Sequence, residues 1–185
     1  NATAPYLYVG VLSGVRNQQK RDDMRAACFK STYEPAGIHG LFYVNSPDLG
    51  GGALARESKE HGDMVFGIGV QDTKVVQLFR DGVAAGATWV LKHDDDTCLR
   101  PRYLLALLDR LQAKRVALSA AGRREFYVGM YAFNGTEYKS MEGTDGTIAP
   151  FITGPIYLLS AGLARTIAMV DYEHTALFQR YGTGS

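Results

Sequence analysis

One stretch limits the fold of this chain more than any other: Trp89-Val90-Leu91-Lys92, which runs directly into His93-Asp94-Asp95-Asp96. A short apolar run without polar alternation is buried on both faces, as strands are in a parallel sheet. Such a strand needs helices on either side to cover it, which calls for alternating strands and helices. Here it also delivers three acids to its carboxyl end, the edge of an open α/β sheet where ligands bind.

The rest of the chain supplies the partners. Tyr6 to Ser13 is a second continuous apolar run closing on small residues, and reads as a buried strand. Residues 40–44, 64–66 and 88–92 read as further strands, and 116–118, 126–133 and 156–159 are shorter strand candidates. Between them, residues 16–29, 54–61, 73–85, 102–112 and 161–170 carry amphipathic or helix-forming patterns. Pro101 stands where a helix accepts proline, in its first turn. Residues 46–52, with three consecutive glycines, form a loop. The expected fold class is α/β, a sandwich around a mostly parallel central sheet.

Composition removes several classes of function. The chain has 185 residues, 46% of them hydrophobic and 21% charged, enough for one domain with a sizeable core. Twenty Lys and Arg against 19 Asp and Glu leave a formal charge of +1, without the basic excess of a nucleic-acid binder. No apolar run reaches the roughly 18–20 residues that span a bilayer. The expectation is a segment without membrane contact, any anchor lying outside it. Cys28 and Cys98 are the two cysteines; they either pair in an oxidising compartment or stay as buried thiols. Asn1-Ala2-Thr3 and Asn134-Gly135-Thr136 are glycosylation sequons.

The acid triplet carries the chemistry. Hard divalent cations take oxygen ligands and let bound phosphates complete the shell. An Asp-x-Asp at a strand end therefore suits a metal held against a diphosphate. The competing reading is a turn that caps the helix at Pro101. A cap needs only one acid, and three adjacent carboxylates repel one another, which a cation relieves. Ser13-Gly14-Val15-Arg16-Asn17, followed by Lys20-Arg21 and Arg25, places bases after the first strand. Arginine's fixed fork of donors suits phosphate. The alternative is a solvated helix face, paired with Asp22 and Asp23.

Taken together these motifs resemble glycosyltransferase family 31, which holds β-1,3-galactosyltransferases, β-1,3-N-acetylglucosaminyltransferases and fringe proteins. The stretch from Gly10 to Arg25 is similar to the family's opening strand, Ser, Arg, basic pair and further Arg. Glu57 and His61-Gly62-Asp63-Met64-Val65 resemble its Glu-rich helix and Gly-Asp-Ile-Ile-like strand, and Lys74 a lysine in the next helix. Trp89 to Asp96 matches the strand with the metal-binding triplet, and Gly154-Pro155-Ile156-Tyr157-Leu158-Leu159-Ser160 the Gly-Gly-x-Tyr-x-x-Ser segment.

The resemblance implies a GT-A-type, Rossmann-like sandwich over residues 1–185. The nucleotide-sugar part would lie at about 5–112 and an incomplete acceptor-side part at about 113–185. It implies Mn²⁺ or Mg²⁺ as cofactor, held by Asp94 and Asp96. Ser13, Arg16, Arg21, Arg25, Lys74, Asp94, Asp95 and Gly154 would then surround the nucleotide sugar. The implied reaction moves galactose or an N-acetylhexosamine from a UDP-sugar to a glycan or glycoprotein acceptor, with inversion and usually β1,3-linked. The implied setting is the Golgi lumen, as a type II membrane protein anchored outside this segment.

Departures from the family pattern are plain. The segment from Phe66 to Lys74 is shorter than the family's, Cys28 stands for a Trp and Pro155 for a Gly. The Glu-Asp-Val motif that supplies the family's base is absent, so the catalytic base is unassigned. Asp145, Asp171 and Glu173 are acids outside the expected motif, and His93 and His174 read as polar surface histidines. The expectations are a truncated enzyme, a sequence lacking some of its residues, or a catalytically inactive binding or structural module. A nucleotidyltransferase is the third class considered, and its Gly-rich Lys/Arg loop after the first strand is missing.

Overall fold

The computed structural model describes residues 6–45, 52–67, 71–119, 125–132 and 151–169. Strand β1 (Leu7–Ser13) leads into helix α1 (Gln18–Met24), which continues as a π-helical stretch, Arg25–Tyr33. Then come β2 (Gly40–Asn45), α2 (Gly52–His61), β3 (Met64–Gly67) and α3 (Gln71–Ala84). Next are β4 (Trp89–Asp94), α4 (Pro101–Ser119), β5 (Tyr127–Ala132), β6 (Phe151–Ser160) and α5 (Ala161–Met169). The strands form one six-stranded sheet in the order β3-β2-β1-β4-β6-β5. The first four strands of that order pair in parallel, and β6 runs antiparallel to both β4 and β5. The architecture is the α/β sandwich expected from the sequence, and it is consistent with a GT-A-type fold.

Strand alternation sorts the core into two layers. Trp89 and Leu91 face one side with Val9, Val11, Phe42 and Leu158, and meet Phe29, Tyr33, Leu104 and Leu108. Val90, Tyr43 and Leu159 face the other, against Leu78 and Phe79 of α3 and Ala164 and Ala168 of α5. Helices therefore cover both faces of the sheet, which is why its central strands read as apolar throughout.

Three details depart from the sequence expectations. Residues 116–118 belong to α4 rather than to a strand. Ala113, Lys114, Arg115, Ala117 and Leu118 favour helix, and Val116 is exposed instead of buried in a sheet. Strand β4 extends past Lys92 to Asp94, because pairing with β1 continues to the register Leu12–Asp94. Strand β6 begins earlier than residue 156, and its register with β5 breaks between Gly129 and Tyr131, opposite the part that holds Gly154 and Pro155. Pro155 lies just beyond the β4–β6 register, which ends at His93–Ile156, so its missing N–H removes no bond to β4. The glycines at 50 and 51, Asn1, Asn134, Asp145, Asp171, Glu173 and His174 lie outside the described residues.

Two devices tie the polar edge of the sheet to its supports. Cys28 and Cys98 form a disulfide across 70 residues of sequence. The backbone N–H of Leu99 donates to the Tyr33 hydroxyl at 3.2 Å, so the segment after the acids is tied twice to the π-helical stretch. The second device is a charge network between α1 and α2. Arg21 donates in a fork to Glu57, from Nε at 2.7 Å and Nη2 at 2.6 Å, with side chains 0% and 1% exposed. Arg25 bonds Asp22 at 2.7 Å and Asp63 at 2.7 and 2.9 Å, approaches Glu57 at 2.9 Å, and lies over the Phe42 ring. Burial pushes the Glu57 carboxyl up, but the two guanidinium groups outweigh it and hold it below its ordinary value.

Closing a 70-residue loop is worth about 4 kcal/mol in the chain-entropy account. The C28S/C98S variant should lose stability of that order in urea unfolding, and equal stability would contradict the cross-link. Glu57→Gln leaves two buried guanidinium groups short of a counter-charge and should cost about 3–5 kcal/mol at neutral pH. Because its carboxyl is depressed, Glu57's contribution is complete above the ordinary value of 4.5 and is lost as pH falls through the folded-state value. Acid unfolding of wild type against E57Q checks this: the gap between them should close as pH falls, and a constant gap would refute it.

Candidate active site

The connection from β1 leads through α1 to β2 on one side, whereas α3 carries the chain back across to β4 on the other. The two crossovers leave opposite faces, so β1 and β4 are neighbours whose carboxyl ends open a crevice. A cavity of about 680 Å³ lies there. Leu12, Ser13, Gly14 and Asn17 line it from the end of β1 and the turn after it. Lys92 and Asp94 line it from β4, Asp95 and Asp96 from the turn after it, Lys74 from α3, and Pro155 from β6.

The three acids stand in different surroundings. Asp95 is buried and accepts bonds from the Ser13 hydroxyl at 2.7 Å and the Asn17 amide at 2.8 Å, with Lys20 Nζ at 3.4 Å. Burial pushes its carboxyl up, but these donors outweigh that and hold it below the usual carboxylate range. Asp95 is thus an ionised anchor with its oxygens already engaged. Asp94 accepts from Lys92 Nζ at 2.6 Å and is 37% exposed. Asp96 faces solvent with its side chain 63% exposed, and meets Lys20 Nζ at 3.3 Å. Asp94 and Asp96 therefore keep oxygen lone pairs open to the cavity.

Cationic groups share the walls. Lys74 is buried and donates to the Ser13 carbonyl at 3.1 Å. Burial pushes its ammonium down, opposed in part by the charges of Asp94 and Asp95. Lys92 is buried too, with its ammonium 5.5 Å from the centre of the Tyr157 ring. A crevice whose lining intersperses carboxylates with ammonium groups can take an anionic ligand together with a cation. Among the described residues, no group of three or more His, Cys, Asp or Glu side chains is arranged to hold a metal by protein atoms alone. The donor set still suits a hard cation, since Mg²⁺ commonly takes one or two carboxylates and completes its shell with phosphates and water.

Of the residues expected from the sequence, Ser13, Lys74, Asp94, Asp95 and Asp96 come together around this cavity. Gly154 lies in β6 next to Pro155, a lining residue. The two other arginines and Arg21 do not reach it. Arg16 is exposed in the turn after β1. Arg21 is fully buried behind Ser13. Arg25 lines a separate cavity of about 290 Å³, with Phe29, His39 and Asp63. His93 is not a surface histidine: it is fully buried on the Trp89 and Leu91 face, within 3.2 Å of the Tyr33 hydroxyl, and burial pushes its pKa down. Sequence reasoning counted Lys20 among the bases after the first strand, but missed Asn17 and Lys92 as site groups. All three stand in the motifs already read, and a lysine near the carboxyl end of a buried strand was the available signal for Lys92.

No curated protein matches the chain significantly. The sequence model of the family described as Galactosyltransferase matches residues 19–179. That span includes nearly all of α1, the acid triplet and β6, and covers most of the chain. The chain therefore belongs to the galactosyltransferase family, the family of β-1,3-galactosyltransferases that its motifs resemble.

Proposed function

We propose that the crevice between β1 and β4 binds a UDP-sugar with Mn²⁺ or Mg²⁺, as the donor site of an inverting hexosyltransferase. The family supports a glycosyltransferase function. The observation that carries the finer reading is the grouping of Asp94, Asp95, Asp96, Lys74 and Lys92 in one cavity at the sheet's switch point. Asp94 and Asp96, with oxygens open to the cavity, would hold the cation. When bound, it would offset negative charge on the diphosphate. Lys74 is poised to donate hydrogen bonds to a phosphate, its ammonium buried and held by one carbonyl. Asp95 fixes the turn by drawing Ser13 and Asn17 onto β4. Preorganised charges of this kind stabilise a leaving group without reorganising during reaction.

The donor is a galactose or N-acetylhexosamine nucleotide in this reading. The acceptor is a glycan or glycoprotein, and the bond formed is β1,3. The catalytic base is unassigned. No described helix is long and apolar enough to cross a membrane. A Golgi-luminal, type II setting with the anchor outside this segment is part of the same proposal.

Calorimetric titration with UDP tests it. Wild type should bind in Mn²⁺ and lose that binding in EDTA. D94N and D96N should each weaken it by about 10-fold or more, the equivalent of roughly 1.4 kcal/mol. Metal-independent binding, unchanged in both variants, would refute the site.

A further inference from the structure

Resting on the reading of this cavity as a donor site, we propose that Arg21 is a positioning residue that acts on it through Ser13. Arg21 is fully buried and lies outside the cavity lining, so it touches no ligand there. Its Nε and Nη2 are taken up by Glu57, which fixes the plane of the guanidinium. That leaves Nη1 aimed at the end of β1, where it donates to the Ser13 hydroxyl at 3.0 Å and the Gly14 carbonyl at 2.6 Å.

The direction of this relay follows from the groups involved. Arginine has donors and no acceptor, so the Ser13 oxygen must accept from it. The single hydroxyl proton is then free for Asp95, whose carboxylate lies 2.7 Å away. A hydroxyl that could otherwise rotate is held pointing at the acid triplet. Asp95 stands between Asp94 and Asp96, so anchoring it sets the turn from which both flanking carboxylates project. The bond from Thr97 N–H to the Asp94 carbonyl at 3.2 Å closes that turn. The route runs from Glu57 on α2 through Arg21 on α1 and Ser13 at the end of β1 to Asp95 in the turn after β4, so it joins four parts of the fold. Outer partners that orient ligand groups matter in metal sites for this reason.

The test compares wild type, R21K, S13A and the double variant by UDP titration in Mn²⁺ and by thermal melting. Lysine keeps the charge but cannot fork to Glu57 while reaching Ser13. S13A cuts the relay and leaves the Arg21–Glu57 pair in place. R21K and S13A should each weaken UDP binding by about 10-fold or more, the size typical of losing such outer partners. The double variant should be no weaker than the weaker single, because both cut one path. A purely structural arginine would instead lower the melting temperature with UDP affinity unchanged, and that result, or additive losses, overturns the proposal. If R21K does not fold, a crystal structure of S13A decides: an Asp95 turn displaced from its place beside β1 supports the relay, and an unmoved turn overturns it, whatever happens to UDP affinity, since Ser13 also lines the cavity. If wild type binds no UDP at all, the donor-site reading fails. A crystal structure of R21K then decides the relay: Asp95 detached from Ser13 supports it, and an unmoved contact overturns it.

Discussion

The parallel pairing of β1 with β4 is the contact on which the rest of the structure depends. It sets Leu12 beside Asp94 and so brings Ser13 and the turn after it to the acids. Without that register, residues about 80 positions apart in sequence would not share a cavity. The pairing is enforced by burial, since Val9, Val11, Trp89, Val90 and Leu91 lie between helices on both faces. A slip of one residue would turn His93 and Trp89 out of their layer, where a large apolar contact area holds them. The polar edge is thus located by an apolar constraint.

Charge then refines what packing locates. Asp95 gives up its accessible oxygens to Ser13, Asn17 and Lys20, whereas Asp94 and Asp96 stay open to the cavity. Three adjacent carboxylates would otherwise repel one another, and lysines on either side limit that repulsion. The same separation of roles appears among the bases. Arg21 and Arg25 neutralise Glu57 and Asp63 inside the fold, and Lys74 and Lys92 remain at the cavity. Buried forked pairs suit arginine because its donors are fixed in a plane, and a compact ammonium suits a small anionic ligand.

The fold was largely legible in the sequence because its core strands are short apolar runs and its helices keep an apolar stripe. The acid triplet was legible as well, since a buried strand ending in three acids has few uses. Alternation along β4 was the signal that His93 faces the core, since it follows Trp89 and Leu91 at a spacing of two, and its polarity hid this. The roles of the arginines were not legible. Arg16, Arg21 and Arg25 follow the first strand at spacings compatible with one ligand, but the partners that claim two of them, Glu57 and Asp63, lie more than 30 positions away. Residues 116–118 misled for a local reason: three apolar-rich positions were set against the helix-forming residues around them.

A crystal structure of the protein with UDP and Mn²⁺ tests the central claim most directly. The account predicts the diphosphate in the crevice between β1 and β4, within reach of Lys74, with the cation on Asp94 and Asp96. A diphosphate bound beside Arg25 in the second cavity, or a first cavity left empty while UDP binds elsewhere, would contradict it.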